Sequence, residues 1–173
     1  AVYQHDFDGT IPGPEGNGHP LLAPFGIFPA RNGQVAIGIV DDVFWNELAK
    51  CMGNKALAKD NRFSTRAARK ENSQTVNELV SNWTIQRTKN ELSHILGGKL
   101  PFGPVNTIKD IFNDEHISVR KMIMTVPHHD NTKKGWKVAA NPIKFSLNPT
   151  PDTNTPPKIG EHNEKYLGKR KNS

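Results

Sequence analysis

Few residues in this chain have the types and spacing that do chemistry. Asp41-Asp42 is a carboxylate pair by composition. Neighbouring positions on an extended chain point to opposite faces, so the two do not converge on one proton. They stand where a strand ends and read instead as a helix cap. His128, His129 and Asp130 offer three metal-ligating side chains. Adjacent residues on a turn do not converge on one ion, and no further ligand is suitably spaced, so no metal is expected. Cys51 is the single cysteine, which excludes an internal disulfide framework. Beside Met52 on an apolar helix face it reads as a small buried residue. His94 falls on the polar side of a short helix and reads as a surface residue. There is no G-x-S-x-G elbow, no phosphate-binding loop and no dinucleotide fingerprint. The remaining candidate is the segment from Ala1 to Pro20. Gly9, Pro12, Gly13, Pro14, Gly16, Gly18 and Pro20 punctuate it, and it has no helical or strand period. Such a stretch is a linker between domains or a loop that lies over a ligand.

The elements that would position such a loop come next. Phe25, Ile27 and Phe28, a turn at Asn32-Gly33, and alternating Val35, Ile37 and Ile39 predict a β-hairpin with the last three as its buried row. Asp41-Asp42 then opens a helix carrying Phe44, Trp45, Leu48, Ala49 and Met52, closed by Gly53. Residues 54–60 read as a short helical turn anchored by Leu57, with Phe63 tucked in after it. Ser64 is the expected cap of one long helix from Thr65 to about Gln86, with Ala68, Val76, Leu79, Val80 and Trp83 on its apolar face. The first half of that face is thin and needs support from elsewhere in the fold. Thr88-Lys89-Asn90-Glu91 matches a capping box for a helix ending at Gly97-Gly98. Leu100 to Val105 reads as a rigid corner between two prolines. Asn106 or Thr107, and then Asp114, cap two brief helices. Lys121–Val126 and Gly135–Ala140 read as a strand pair around a turn at residues 127–131. Asn141–Ser146 reads as a short edge strand. Residues 148–157 form a proline-rich extended run, and a last helix spans Glu161 to about Leu167 with only Tyr166 and Leu167 as apolar payload.

With 173 residues the chain has room for one domain, or one and a fraction. Its 35% hydrophobic content is low for a self-contained globule. A net charge of +6 and a pI of about 9.5 suit an anionic partner such as a nucleotide-bearing cofactor, and equally RNA or no particular partner. Lys169-Arg170-Lys171 reads as a solvated tail. No apolar run is long enough to span a membrane and no signal peptide is visible. The chain opens on Ala1 rather than Met, and its first residues are not a usual domain start, so a piece of something longer is expected.

Several short motifs, taken in order, carry more than any one of them. They are G-N-G-H-P at Gly16–Pro20, A-P-F-G-I-F at Ala23–Phe28 and N-G-Q-V-A-I at Asn32–Ile37. W-N-E-L at Trp45–Leu48, D-N-R-F at Asp60–Phe63 and A-A-R-K-E-N at Ala67–Asn72 follow. G-P-V-N at Gly103–Asn106, N-P-I-K-F-S at Asn141–Ser146 and P-P-K-I-G-E-H at Pro156–His162 complete the series. In this order the chain resembles the C-terminal portion of the class III CoA-transferase family (CaiB/BaiF type), which includes formyl-CoA transferase, carnitine CoA-transferase and α-methylacyl-CoA racemase.

The resemblance implies an α+β fold. Residues 1–20 would be a linker and candidate active-site loop. Residues 21–119 would form a small domain with an antiparallel sheet and helices. Residues 120–173 would return to a Rossmann-like large domain. It implies CoA transfer between carboxylic acids through an aspartyl thioester, or, in the racemase branch, exchange of an α-proton. A CoA thioester and a carboxylic acid are then the substrates. The nucleophilic Asp lies upstream of the matched region, so no catalytic residue is assigned in this chain. Gly16, Asn17, Gly18 and His19 match a loop that closes over the active site, where glycine lets backbone N–H groups approach an anionic intermediate. Many members carry a basic residue shortly before this motif, where this chain has Pro14-Glu15. The implied partners are an N-terminal Rossmann-like part and a second copy in an interlocked dimer, with neither nucleic acid nor membrane. The implied location is the cytoplasm, or mitochondria or peroxisomes in a eukaryote.

A reading of another class is a free-standing basic binding module, for instance for nucleic acid. Against it, the aromatics stand at core spacing rather than interleaved with Lys and Arg.

Overall fold

The computed structural model describes residues 2–11, 13–129, 134–147 and 155–168. Its contacts divide the chain into two compact units, one ending at Val105 and the other starting at Asn106. The described architecture is α+β, with small antiparallel sheets and helices.

In the first unit, helix α1 (Val2–Asp8) precedes the loop, where no regular element is predicted. Its Val2, Tyr3 and Phe7 are all exposed, so no buried stripe marks it in the sequence. Strands β1 (Phe25–Ala30) and β2 (Gly33–Gly38) form the expected hairpin. Ala30 pairs with Gly33, so the turn is Arg31-Asn32, one residue earlier than predicted. The Asn32 side chain instead accepts the Lys89 backbone N–H at 2.8 Å, tying the hairpin tip to a later helix. Val35, Ile37 and Ile39 are buried, as their period requires.

Helix α2 (Asp42–Cys51) begins on Asp41, whose side chain accepts the Phe44 N–H at 2.8 Å. It ends in a Schellman motif: Gly53, at φ 75°, donates to the Lys50 carbonyl and Asn54 to that of Ala49. Trp45, Leu48 and Ala49 face the core. A 3-10 turn (Lys55–Lys59) places Leu57 beneath α2, where its carbonyl accepts the Trp45 indole N–H at 3.3 Å.

The long helix expected from Thr65 to Gln86 is two helices, α3 (Arg66–Glu71) and α4 (Ser73–Thr84). Its cap is Thr65, not Ser64; the Thr65 side chain accepts the Ala68 N–H. Asn72 breaks the run at ψ 30°, and its side-chain amide donates back to the Ala68 carbonyl at 2.9 Å. An asparagine that bonds its own backbone competes with helix continuation. The support missing from the thin apolar face comes from Arg69, which is fully buried. Val76 and Val80 of α4 complete the core from below the hairpin.

Helix α5 (Lys89–Leu96) starts on the full capping box of Thr88 and Glu91 and buries Leu92 and Leu96. Residues 100–105 are not a corner: Phe102–Val105 is strand β3, antiparallel to β2, giving the order β1-β2-β3. Pro104 is compatible with a strand here because β3 is an edge, where one missing N–H breaks no ladder.

In the second unit, Thr107 and Asp110 form a capping box for α6 (Ile108–Phe112), and Asp114 caps α7 (Glu115–Val119). Strands β4 (Ile123–Val126) and β5 (Trp136–Ala139) pair antiparallel. Among its described residues only Val126 and Ala140 are buried apolar side chains, while Ile108, Phe112 and Val119 stand exposed. The edge strand expected over Asn141–Ser146 is absent. The Asn141 side chain accepts the Ile143 N–H at 3.0 Å, an Asx turn that bends the segment. Residues 148–154 of the proline-rich run lie outside the described residues. The last helix, α8, spans Asn163–Leu167.

Candidate functional site

The three-stranded sheet has two unlike faces. Val35 and Ile37 point into the core, so their neighbours Ala36 and Gly38 point away from it. Cross-strand partners extend that outer row: Ile27 beside Ala36 beside Gly103, and Phe25 beside Gly38. The result is an open trough of about 580 Å3 over a floor of Ala36, Gly38 and Gly103, with the Phe25 ring lying against Gly38. Phe25, Ile27 and Val40 rise at its sides, and Gly16, Asn17 and Gly18 form part of its rim.

The loop is held to this rim by specific contacts. Asn17 Nδ2 donates to the Ile27 carbonyl at 2.7 Å, and Oδ1 accepts the Ile27 N–H at 2.8 Å. Gly18 N–H closes a turn on the Glu15 carbonyl at 2.9 Å, with Gly16 at φ 58°. Gly26, at φ 150°, lies directly under the loop; a Cβ there would collide with the Asn17 carbonyl oxygen. His19 is not part of the trough lining. Its Nδ1 accepts the Leu21 N–H at 3.1 Å, and its ring packs 4.9 Å from that of Phe25.

The acidic Glu15 does not stand alone before the loop. Lys70 of α3 pairs with its carboxylate at 3.5 Å and donates to the His19 carbonyl at 3.1 Å. One ammonium group therefore bridges both ends of the loop. Lys70 is 36% exposed, so the pair adds little to stability and serves as placement. Beside it in sequence, Arg69 donates from Nε to the Ala23 carbonyl at 3.1 Å and from Nη1 to that of Phe63 at 2.9 Å. Its Nη2 reaches Asp42 Oδ1 at 2.9 Å, and the guanidinium lies over the Trp45 ring. The chain leaving the loop is thus tied to the start of α2 through a single buried side chain.

The other candidates take ordinary roles. Asp41 is a helix cap and Asp42 is the Arg69 partner. His128 and His129 pack on Trp136. Asp130 lies outside the described residues, and no group of three metal-ligating side chains occurs among those described. His94 is exposed. Cys51 is half-buried, and burial together with Glu47 pushes its thiol up, although Lys99 opposes the shift. Among the described residues no Asp, Glu, Ser or Cys lines the trough. Sequence reasoning missed Gly26, Lys70 and Arg69. Only their presence in the A-P-F-G-I-F and A-A-R-K-E-N motifs pointed to them.

This arrangement of small antiparallel sheet, packed helices and glycine-bearing loop is that of a CaiB/BaiF-type domain. A crystal structure of a CaiB/BaiF family protein from Brucella suis matches 96% of the chain and 42% of its own length, with a TM-score of 0.77 and 28% identity. The family model described as CoA-transferase family III matches residues 1–163, and the chain belongs to that family. The chain is 31% identical over 167 residues to a succinyl-CoA:mesaconate CoA-transferase of Haloarcula hispanica, covering 96% of this chain and 41% of that protein. It is 30% identical over 168 residues to a succinyl-CoA–D-citramalate CoA-transferase of Chloroflexus aurantiacus, with the same two shares covered. The chain therefore spans about two-fifths of the length of the curated relatives it matches.

Proposed function

We propose that this chain is the C-terminal share of an acyl-CoA:carboxylate CoA-transferase whose nucleophile is an aspartate outside it. The observation that carries the reading is the family match over residues 1–163, taken with a trough whose described lining holds no nucleophile. In this reading the Asp carboxylate attacks the donor thioester, the C–S bond breaks and CoA thiolate leaves. The thiolate attacks the aspartyl carbonyl of the resulting anhydride, releasing the donor carboxylate and leaving an aspartyl-CoA thioester. The acceptor carboxylate repeats the sequence in reverse and regenerates the Asp. No metal or redox partner enters the balance.

The Gly16–His19 loop is proposed to lie at the reacting centre, where its backbone N–H groups face developing negative charge. A Rossmann-like part supplies the Asp, and a second copy completes an interlocked dimer. The exposed Ile108, Phe112 and Val119 of the second unit support a partner surface there.

The test combines the chain with a Rossmann-like part of family III type and follows CoA movement from an acyl-CoA donor to a carboxylate acceptor by mass spectrometry. Transfer that needs both parts supports the reading. Turnover by the chain alone, or none with both, overturns it. Solvent deuterium entering the α-position without an acceptor would assign the racemase branch instead.

A further inference from the structure

We propose that the trough takes an apolar acyl chain, so the acyl group handled by this protein carries no second carboxylate. The inference deepens the acyl-CoA reading above and rests on it. Among the described residues no charged side chain lines the trough, although the chain as a whole carries a net charge of +6. The floor positions Ala36, Gly38 and Gly103 have no side chain able to reach a ligand's far end with a hydrogen bond. Phe25, Ile27 and Val40 offer hydrocarbon on the sides. Lys70, the cation bonded to the loop, is already engaged by the Glu15 carboxylate and the His19 carbonyl.

The polar capacity of the site lies on the rim. Among the described residues no acceptor faces the backbone N–H groups of Gly16 and Asn17, while that of Gly18 donates to the Glu15 carbonyl. An apolar hollow with a few donors at one edge fits a ligand with one carbonyl oxygen and a hydrocarbon tail. A distal carboxylate laid on this floor would lose water without gaining a counter-ion, which is costly. Succinate and mesaconate, named for the haloarchaeal relative, are dicarboxylates; this trough offers them nothing for the second charge.

The experiment titrates the 15N-labelled chain with S-hexanoyl-pantetheine and with S-succinyl-pantetheine. The expected result is saturable shifts of the Gly16, Gly18, Gly38 and Gly103 amides with the hexanoyl thioester, at a Kd about tenfold or more below that of the succinyl thioester. Ala36→Asp should abolish the hexanoyl shifts while the core amides of Val35 and Ile37 keep their positions. Should that variant lose its fold, Val40→Asp at the exposed wall reads the same effect. Equal or tighter binding of the succinyl thioester, or shifts with neither, overturns the inference. CoA transfer that prefers succinyl-CoA would sink it and leave the transferase reading standing. Hexanoyl binding in the trough of a protein that moves no CoA would do the reverse.

Discussion

Asn17 faces Ile27 as one strand residue faces another, its carboxamide giving and receiving the two hydrogen bonds of a backbone pair at 2.7 and 2.8 Å. A single side chain thereby adds one residue's worth of ladder to the outer edge of β1 and fixes the loop on the trough. Asn17→Ala removes both bonds at an exposed site and should cost about 1 kcal/mol. Asn17→Asp should not rescue it, because the second carboxylate oxygen would oppose the Ile27 carbonyl. Amide exchange at Ile27, compared with Val35 as a core control, checks this: protection at Ile27 alone should fall.

Gly26 is the counterpart of that contact. Gly26→Ala sets a methyl group against the Asn17 carbonyl oxygen and strains a positive φ, for an expected cost of about 1–3 kcal/mol. Both changes release the same loop, so the Asn17→Ala, Gly26→Ala double variant should lose less than the sum of the two. Urea unfolding of the four-member cycle measures the difference; strict additivity would contradict the shared contact.

Arg69 is the buried fork of the first unit. Arg69→Met keeps the bulk but leaves the Ala23 and Phe63 carbonyls without donors, and should cost about 3 kcal/mol or more. Arg69→Lys keeps the charge yet cannot span acceptors on three sides, so it should recover only part of the loss. Denaturant midpoints of the two variants test the order.

Glu91 links the α5 cap to acid stability. The Thr88 backbone N–H, and then its hydroxyl, hold the Glu91 carboxyl below the usual glutamate range, with Arg31 adding to the effect. A carboxyl depressed in the folded state stabilises above its unfolded pKa and loses that contribution as pH falls through the folded value. Glu91→Gln should therefore flatten the decline of thermal midpoint below about pH 4.3, while lowering the midpoint at neutral pH. Melting curves from pH 3 to 7 check both halves.

The parts of the fold set by local chemistry were legible in advance. Val35, Ile37 and Ile39 announced a buried row by period, and Asp41, Thr88, Thr107 and Asp114 announced helix starts by cap chemistry. What escaped depended on distant contacts. Asn72 splits α3 from α4 through a bond to its own helix, and Arg69 holds α3 by bonds to Ala23 and Phe63, which no periodicity encodes. The β3 strand was hidden by Pro104, since its edge position becomes clear only once β2 is in place. At the candidate site, Gly16, Asn17 and Gly18 were named from the sequence, but the pairing of Glu15 with Lys70 needed the fold to bring residues 15 and 70 together.

The two prolines of the sheet share one orientation. Because Ile27 turns its backbone groups outward to Asn17, Pro29 does the same on β1. Val35 is left bonding inward to β1, so Pro104, its partner on β3, also turns its ring nitrogen outward. Each free border of the sheet thus lacks one amide hydrogen, and on one border an asparagine already fills the next position. A second molecule seeking to extend the sheet in a cross-β fashion would meet interruptions on either side.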